Sequence, residues 1–419
     1  MIKKMFFFFT AVVLITVSGC EKPRQRVLVL ENNTEISRTD EALTITRVEM
    51  ERWFGDLPAG LTPVLISSAG DTIPAQVDDL TGNDIWDELF FLYTFDPLED
   101  VQLTIEFVAP EDIPSFTRRS NIHFARITDE GEYEKVTYMD RPSIAPEDAI
   151  KTREFFQFEG PGWENDIVGF RNYFDERNGF DIFGKTTSEM VLQDVGIDED
   201  YHELQDWGMD NLRVGSSLGA GNIALLENET LIRAAFPSNS YFEEVVDGPL
   251  RSIFRLVFDN WQVEGNSYDL VHEISIWGGA WFYEADVILT GIEEEKTMAA
   301  GITTIDLQED RLEVDESFQD HVFIATHGRQ GYMGEFLGMA IMADKDHYSG
   351  YGKAPETGAD VVQSYYAEMP VRNNLPVTYR FYACWELTDE NFQNREYFLD
   401  LLRSDAFRMD HPVIINPVD

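Results

Sequence analysis

The sequence predicts a mainly β protein with few helices, and three of its features support that fold class. Short runs rich in β-branched and aromatic residues recur along most of the chain, and Gly, Pro, Asn and Asp separate them. Several of these runs alternate polar and apolar residues, as half-buried antiparallel strands do. A convincing helical pattern occurs between Asp389 and Arg408, where an acidic cap precedes apolar residues at helical spacing. No internal repeat is evident, so a propeller or a solenoid is not expected.

The chain is long enough and apolar enough to bury one large core or two smaller ones. It has 419 residues, of which 43% are hydrophobic and 13% are aromatic. The 77 acidic residues outnumber the 32 basic ones, and the formal net charge is −45. Because a surface this acidic repels polyphosphate, the composition excludes a nucleic-acid-binding protein.

Residues 1–19 have the pattern of a secretory signal. Two lysines precede a largely apolar stretch that is too short to span a bilayer as a helix. Val17–Cys20 then resembles the bacterial lipobox, which implies cleavage before Cys20 and lipid attachment to its sulfur. An ordinary cleaved secretion signal or a short anchor is the alternative. With residues 20–26 as a polar tether, the sequence predicts a lipoprotein anchored in a membrane, in the periplasm or at the outer membrane or cell surface.

Two β regions are predicted after the tether. Five strand-like runs within residues 27–110 indicate a β-sandwich or part of one. The proline-marked stretch from Pro110 to Pro114 is the predicted boundary. Residues 115–419 are predicted to form a larger antiparallel β domain that holds the candidate active site. Cys384 lies in an aromatic strand-like run there and is predicted to be a packed core residue.

An acidic segment precedes one of the N-terminal strands. It gathers four aspartates around a glycine turn: Asp78, Asp79, Asp84 and Asp87. Carboxylate oxygens at this density are ligands that a hard cation such as calcium prefers, although the spacing is not that of an EF-hand. A polar hairpin turn, in which Asp and Asn satisfy backbone groups, is the favoured interpretation, and a calcium site is the alternative. No other cofactor is expected.

A second unusual segment runs from Phe158 to Gly221 and mixes glycines, tryptophans and ionisable side chains. Sites that hold sugars need flat aromatic faces for the apolar sides of the rings and fixed polar groups for the hydroxyls. This composition supplies both, and a polar loop system over a core is the alternative. The residues with suitable side chains are Trp163, Glu164, Asn165, Asp166, Arg171, Tyr173, Lys185, Tyr201, His202, Trp207 and Arg213. His327 and Arg329, in a later glycine-rich turn, form a second candidate pair.

Several of these runs resemble a known family. They are Pro74–Leu80, Trp86–Leu89, Trp163–Asp166, Asp181–Lys185, Trp207–Asp210 and Val214–Gly221. Together they are similar to a family of bacterial lipoproteins known as domain of unknown function 4861, and the resemblance covers nearly the whole mature chain. Members of that family are commonly encoded among polysaccharide-degrading enzymes. Gly248–Arg255 and the aromatic strands after it are also similar to the β-supersandwich of aldose mutarotases and polysaccharide lyases, which implies that architecture for the larger domain.

The resemblance also implies a reaction. Related proteins have been described as oligosaccharide dehydratases, which remove water from a non-reducing-end uronic acid in ulvan fragments. That reaction needs a base for the C5 proton, an acid for the departing 4-hydroxyl and a cationic clamp for the carboxylate. His202 is the predicted proton-transfer residue, Tyr173 the donor to the leaving hydroxyl, and Arg171 or Arg213 the clamp. The other candidate residues are assigned to substrate binding.

Two other function classes stay open. One is a mutarotase-like or hydrolytic sugar enzyme, for which Glu164 and Asp166 are the nearby carboxylates. The other is a non-catalytic glycan-binding lipoprotein, which needs aromatic side chains but no base. The charge balance argues against an anionic substrate, because residues 151–220 hold six Lys or Arg against fifteen Asp or Glu. All three classes predict an oligosaccharide as the partner.

Overall fold

The computed structural model describes residues 26–144, 146–235 and 238–418. Strands far outnumber helices in it, which confirms the predicted fold class, mainly β with few helices. The predicted signal at 1–19 and the predicted lipid attachment at Cys20 lie outside the described residues. Within the described ranges, no helix is both long and apolar enough to cross a membrane.

The N-terminal strands are short and turn residues separate them. They are β1 (Arg26–Glu31), β2 (Arg38–Thr46), β3 (Thr62–Ser67), β4 (Thr72–Ile73), β5 (Ala75–Asp78), β6 (Glu88–Phe95) and β7 (Asp100–Val108). Helix α1 (Arg47–Phe54) interrupts them, and the strand-like pattern did not predict it. Its start is fixed by a capping box, in which Thr46 accepts the backbone N–H of Glu49 and the Glu49 carboxylate accepts the N–H of Thr46.

The strands of the middle of the chain are mostly short. They are β8 (Ser120–His123), β9 (Ala125–Ile127), β10 (Tyr133–Lys135), β11 (Tyr138–Asp140), β12 (Gly162–Asn165), β13 (Val168–Asn172), β14 (Phe180–Lys185), β15 (Gly208–Asp210), β16 (Ala220–Glu227), β17 (Thr230–Arg233) and β18 (Asn239–Asp247). Three short 3-10 turns accompany this part of the chain, at Pro110–Asp112, Pro146–Glu154 and Gln157–Glu159.

Longer strands follow. They are β19 (Arg251–Val263), β20 (Asn266–Trp277), β21 (Phe282–Thr290), β22 (Lys296–Thr303), β23 (Glu313–Asp315), β24 (His321–Arg329), β25 (Phe336–Asp344), β26 (Gly350–Lys353), β27 (Ser364–Val371), β28 (Pro376–Trp385) and β29 (Ile414–Val418). A 3-10 turn at Lys345–His347 lies between β25 and β26.

The predicted C-terminal helix is present but begins later than expected. Helix α2 spans Arg395–Asp410 and is capped by Asn394, whereas Asp389 caps a separate 3-10 turn at Glu390–Gln393. The apolar positions of the predicted face are buried: Phe392, Leu399, Leu402 and Ala406.

The N-terminal strands form two sheets that share one core. One sheet has the order β29-β1-β7-β3-β4 and the other β2-β6-β5. Leu28, Phe91 and Leu103 are among the side chains buried between them. Because β29 pairs antiparallel with β1, the end of the described chain lies in this N-terminal region. The division of the chain at 110–114 stays a prediction.

One nine-stranded and two five-stranded sheets follow, and they enclose the main core. The large sheet has the order β11-β18-β19-β20-β21-β28-β25-β24-β23. The front sheet is β15-β14-β13-β12-β8, and the side sheet is β17-β16-β22-β27-β26. Phe254 of the large sheet, Trp163 of the front sheet and Met298 of the side sheet belong to one apolar cluster. The main core therefore lies between the large sheet and the two smaller ones.

The second face of the large sheet packs on α2 and on the N-terminal strands. Phe90 of β6, Tyr382 of β28 and Phe398 of α2 share an apolar cluster there. Cys384 is fully buried in the same cluster, and burial raises the pKa of its thiol. It is a packed small side chain, as the sequence predicts.

The front sheet carries the candidate site because only one of its faces packs on the main core. Residues 186–207, between β14 and β15, lie across the other face, and we call them the cover segment. The backbone N–H groups of Val191 and Leu192 donate to Glu164 Oε1 at 2.8 and 2.9 Å. Tyr201 packs its ring edge-on to Phe183 of β14. These contacts fix the cover segment to the sheet.

Trp163 lies in the main core, where its ring contacts those of Phe170, Phe180, Phe254 and Tyr283. We expect Trp163→Ala to lower the free energy of unfolding by about 3–5 kcal/mol, since it leaves a cavity in a packed core. Urea denaturation measures this. Tyr351→Ala is the control, because Tyr351 is 53% exposed. A Trp163→Ala variant that keeps its stability and loses sugar affinity would restore the sugar-platform role that the sequence suggests.

Candidate active site

The outer face of the front sheet is polar although it is buried. Trp163 and Phe170 point into the main core, so the next residue of each strand, Glu164 and Arg171, points the other way. The cover segment then removes these side chains from solvent. Lys185 at the end of β14 meets Glu164 in a buried ion pair, with Nζ 2.6 Å from Oε2. Charged groups on this face therefore bind one another.

Arg171 is the centre of a larger buried network. Its Nη2 donates to Asp181 Oδ2 at 2.7 Å and to Asp210 Oδ2 at 2.5 Å. The hydroxyl of Tyr173 accepts from Nη2 and that of Tyr201 accepts from Nη1, each at 3.0 Å. The Arg171 residue is 1% exposed. Such charge-assisted bonds offset the cost of burying the guanidinium.

Burial raises the pKa values of three groups in this network, Asp210, Tyr173 and Tyr201. Burial, followed by repulsion from Asp181, raises the pKa of Asp210 well above its usual range. The direction of this shift favours the neutral form of Asp210, whose carboxyl shares the guanidinium of Arg171 with Asp181.

His202 lies above this network and is partly exposed, with 29% of its side chain accessible. Its Nδ1 is 2.9 Å from Asp200 Oδ1, and its Nε2 is 3.7 Å from Asp210 Oδ2. A carboxylate at Nδ1 favours the tautomer that carries its proton there, which leaves the lone pair on Nε2. That lone pair is what a general base needs.

A surface depression of about 360 Å³ lies beside Tyr332. The segments 305–308 and 329–334 line it. Tyr332 forms part of its wall, 40% exposed, with its ring centroid 6.3 Å from that of His202. The guanidinium of Arg213 lies 5.4 Å from the same ring and pairs with Asp306 at 3.0 Å. Tyr332 thus connects the depression with the imidazole of His202 and the guanidinium of Arg213.

Arg329 lies on the rim of the depression. Its Nη1 donates to the carbonyl of Gly334 at 3.0 Å, and its guanidinium lies 4.5 Å from the centre of the Phe336 ring. No carboxylate of the described residues lies within ion-pair distance of it, in contrast to Arg213. Arg329 is therefore the guanidinium that an incoming carboxylate can bind without displacing a partner.

The turn between β24 and β25 brings Tyr332 to this place. The backbone N–H of Tyr332 donates to the carbonyl of Asn211 at 2.9 Å, and Asn211 directly follows β15. Gly334 has φ +90°, a left-handed conformation that this tight turn requires. The hydrogen bond sets Tyr332 beside Asp210 and the cover segment, although it is far away in the chain.

The structure brings some predicted residues together. His202, Arg171, Tyr173 and Tyr201 meet around Asp210, and Tyr332 connects this group with Arg213 and Arg329. Tyr332 itself was not predicted as a site residue. In the sequence it stands next to the His327 and Arg329 pair, and nothing local connects that turn with His202.

Arg171 and Tyr173 do not fit the roles that the sequence assigned to them. The guanidinium of Arg171 already donates to two carboxyl groups, so its N–H donors are not available to bind a substrate carboxylate in a bidentate way. The hydroxyl of Tyr173 donates to Asp181 at 2.5 Å and is buried. Both residues support the site from beneath, because burial keeps them from contacting a ligand.

Other predicted residues lie elsewhere. The side-chain amide of Asn165 donates to two carbonyls at the turn between β20 and β21, those of Trp277 and Ala280, both at 2.7 Å. Asp166 accepts the N–H of Gly279 in the same turn, at 2.8 Å. These contacts hold the large sheet's turn and do not reach His202.

Two further side chains are mainly packed. Trp207 donates from Nε1 to Glu199 at 2.6 Å and meets Phe183 edge-on. His327 is 5% exposed, its Nε2 lies 2.7 Å from the carbonyl of Phe392, and burial lowers its pKa. Burial thus favours a neutral, structural His327.

The four aspartates of the acidic segment do not converge. Asp78 is buried against Arg251, and Asp87 accepts the N–H of Leu80 at 2.8 Å. Asp79 accepts the N–H groups of Gly82 and of Asp84, both at 2.7 Å. Across the described parts of the chain, no three acidic, histidine or cysteine side chains are grouped as metal ligands. The contacts favour the polar turn over the calcium site.

A family model described as "Domain of unknown function (DUF4861)" matches residues 30–415. "Uncharacterized protein P7" of Formosa agariphila is 21% identical over 403 residues, 90% of this chain and 90% of that protein. An alpha-mannosidase from Enterococcus faecalis V583 is similar with 9% identity and a TM-score of 0.47, and a glycosyl hydrolase family 38 protein from Enterococcus faecalis with 8% and 0.49. These two matches cover 94% of this chain but 46% and 47% of the other chains, so this chain spans about half their length.

Asp210→Asn tests whether the buried carboxyl is neutral. A carboxyl whose pKa is raised on folding destabilises the protein progressively as the pH rises above its unfolded value of about 4, by about 1.4 kcal/mol per pH unit until the folded pKa is reached. The amide lacks this cost, so the variant should gain stability relative to wild type between pH 4 and pH 7 in urea denaturation. A variant that instead loses stability over this range would show that Asp210 is ionised against Arg171.

Proposed function

Because this chain belongs to the DUF4861 family, whose model spans nearly its whole length, we propose that it is an enzyme that acts on oligosaccharides. We assign it a carbon–oxygen lyase activity, the removal of water from a uronic acid at the non-reducing end of a polysaccharide fragment. The observation that carries this proposal is the position of Tyr332. It lines the depression together with Arg329, and its ring lies 6.3 Å from that of His202 and 5.4 Å from the guanidinium of Arg213.

His202 is the base in this proposal. Its Nε2 takes the proton from C5 of the uronate, and the resulting imidazolium is stabilised by the Asp200 carboxylate at Nδ1. Hydrogen bonds from the backbone and the side chain of His202 lower the pKa of Asp200, so this carboxylate is ionised at neutral pH. Asp210 Oδ2 lies 3.7 Å from Nε2, beyond hydrogen-bond distance, so it leaves the Nε2 lone pair to the substrate.

Tyr332 is the acid. Tyr332 is 40% exposed and lines the depression, and its ring centroid lies 6.3 Å from that of His202. When the C5 proton has left, the electron pair forms the C4–C5 double bond and the C4–O bond breaks. The phenol gives its proton to the departing oxygen, which leaves as water. The proton on His202 then returns the phenolate to its neutral form, so the enzyme ends as it began.

Arg329 is the carboxylate clamp. Removal of the C5 proton builds negative charge next to a carboxylate, and a guanidinium bound to that carboxylate stabilises it. Arg329 suits this role because its described surroundings hold no competing carboxylate at ion-pair distance, while its contact with Phe336 restrains it. Arg213, paired with Asp306, contributes positive charge beside Tyr332.

Hydrolysis fits the depression less well. Glycoside hydrolysis generally uses two carboxyl groups that face each other across the scissile bond. Asp306 is the carboxylate that lines the depression, and it is paired with Arg213. Glu164 is buried in its ion pair with Lys185 and Asp166 lies at the β20–β21 turn. These contacts favour elimination.

His202→Gln and Tyr332→Phe test the assignment. We expect each to lower turnover of uronate-ended oligosaccharides by about 10²–10⁴-fold, because each removes one proton-transfer group. Mass spectrometry follows the loss of one water from the substrate, and ultraviolet absorbance follows the new conjugated double bond. His347→Gln and Tyr351→Phe are the matched controls. His347 accepts the backbone N–H of Thr378 and Tyr351 lies on β26, and neither lines the depression or makes a ring contact with Tyr332.

Different products would refute the lyase assignment. Cleavage with the gain of one water would mark hydrolysis, and a change of optical rotation at constant mass would mark a mutarotase. Saturable binding of the same oligosaccharides without any product would mark a glycan-binding protein. Equal turnover in wild type and in His202→Gln would remove His202 from the mechanism.

We also propose that the mature protein is a lipoprotein tethered through Cys20, on the periplasmic side or at the outer membrane. The support is the sequence of the first twenty residues, with its basic start, apolar stretch and Val17–Cys20 run. A tether of this kind would hold a sugar-acting domain where polysaccharide fragments arrive.

Cys20→Ser tests the anchor. Because a serine hydroxyl does not accept the thioether-linked lipid, we expect the variant to move from the membrane pellet to the soluble fraction after cell fractionation. Cys384→Ser is the control, since that thiol is buried in the fold. A Cys20→Ser protein that stays in the pellet would rule out the lipid as the main tether.

A further inference from the structure

A second cavity lies far from the candidate active site. It has a volume of about 340 Å³ and is formed by residues 39–42 of β2, residues 277–282 around the β20–β21 turn, and residues 405–412 at the end of α2. We call it the N-terminal cleft. His321, which begins β24, lines it, whereas Arg329, which ends β24, lines the depression. Eight residue steps along a strand separate the two by about 26 Å.

His321 presents an unpaired nitrogen to the cleft. Its Nδ1 lies 2.6 Å from Asp410 Oδ1, and the residue is 9% exposed. Burial alone would raise the pKa of Asp410, but hydrogen bonds from His321 and from backbone N–H groups outweigh it and lower the pKa. An ionised Asp410 holds the proton of His321 on Nδ1. Nε2, which has no hydrogen-bond partner among the described residues, is then an acceptor.

Aromatic side chains form one wall of the cleft. Trp277 and Phe282 are nearly buried, and the guanidinium of Arg380 lies 4.5 Å from the Phe282 ring and 5.6 Å from the Trp277 ring. Trp281 is more accessible, and Phe392 meets its ring edge-on at 4.8 Å. A fixed indole beside polar groups is the arrangement that stacks on the apolar side of a sugar ring.

The backbone on the opposite wall is held in an uncommon conformation. Asp40 has φ +49° and lies at a bulge, where the register between β2 and β6 shifts. Both oxygens of its carboxylate accept from Arg119 at 2.8 Å. Gly279 lies against it, and a Cβ there would come within 2.7 Å of Asp40 Oδ2. Bulges of this kind redirect side chains near functional sites.

The charges of the cleft favour an uncharged ligand. Its carboxylates are Asp40, Glu41 and Asp405, and its guanidinium groups belong to Arg380 and Arg408. Arg380 is paired with Glu284 at 2.9 Å, and Arg408 with Asp405. Both arginines of the cleft are thus paired among the described residues. The carboxylates are paired as well, Glu41 with Arg38 at 2.9 Å, but a carboxylate has about four acceptor sites. Its remaining lone pairs and His321 Nε2 can therefore accept hydrogen bonds from hydroxyl groups.

We propose that the N-terminal cleft is a second carbohydrate site, which binds an uncharged sugar unit against Trp281 and accepts its hydroxyl groups with His321 and Glu41. Its volume lies at the small end of the range for small-molecule sites, about 300–1,000 Å³, so it holds a short sugar. The cleft joins the N-terminal sheets to the large sheet, which places the ligand at a junction of two regions.

Ligand-observed NMR and calorimetry on the full mature chain test this site. The probes are glucose, galactose, mannose, xylose and rhamnose, with glucuronate as the anionic counterpart. We expect at least one neutral sugar to bind with a Kd of about 1 mM and glucuronate to bind more weakly at this site. Trp281→Ala should weaken binding about tenfold, Trp281→Phe should keep most of it, and His321→Gln should reduce it.

The controls separate this site from the proposed active site. His202→Gln should leave binding of the neutral sugar unchanged, and Trp281→Ala should leave the turnover of a uronate-ended substrate unchanged. Urea denaturation of each variant shows whether it is folded, and Trp281→Phe serves as the readout if Trp281→Ala is not. The proposal is overturned if no neutral sugar binds more tightly than about 10 mM, or if folded Trp281 and His321 variants bind as wild type does.

Discussion

A guanidinium group keeps its charge at any ordinary pH, so Arg171 can be buried only where enough partners surround it. Those partners come from separate parts of the chain: Asp181 from β14, Asp210 from the end of β15, Tyr173 from just beyond β13, and Tyr201 from the cover segment. Loss of one charged partner would leave an uncompensated buried charge, at a cost of about 3–5 kcal/mol. The network therefore joins the cover segment to the front sheet, and the position of His202, next to Tyr201, depends on it.

One short run of sequence shows how a polar pattern can serve structure rather than binding. Trp163 packs in the main core, and Glu164 binds both Lys185 and the backbone of the cover segment. Asn165 and Asp166 hold the turn between β20 and β21. Four successive side chains thus connect the core, the cover segment and the wall of the N-terminal cleft. A tryptophan followed by three polar residues resembles a sugar-binding run. The direction of each side chain in the structure shows that these residues stabilise the fold instead.

The fold class followed from local pattern, because strand alternation and the apolar face of α2 are properties of neighbouring residues. Helix α1 was missed because it is only eight residues long and directly follows the strand-like run of β2, although its Thr46 and Glu49 capping box is visible in the sequence. The closeness of His202 to Arg171 was predicted from one segment that concentrates ionisable groups. Tyr332 was not, since a backbone hydrogen bond to Asn211 brings it there from a distant turn. Burial, which removed Arg171 and Tyr173 from contact with ligands, is likewise a consequence of tertiary packing.

The excess of fifteen acidic over six basic residues in residues 151–220 argued against an anionic substrate, yet the distribution of charge in space decides what a site can hold. At physiological ionic strength the potential of an exposed charge falls off over about 8 Å, so most of the acidic surface acts weakly at the depression. There the charge of Arg213 is offset by Asp306, while no described carboxylate pairs with Arg329. A polyanion that covers a wide surface meets the excess of acidic residues and is repelled. A single carboxylate at the end of an oligosaccharide meets one guanidinium group, whose two parallel N–H donors match its geometry. The composition therefore excludes a polyanion and permits an oligosaccharide with one terminal carboxylate.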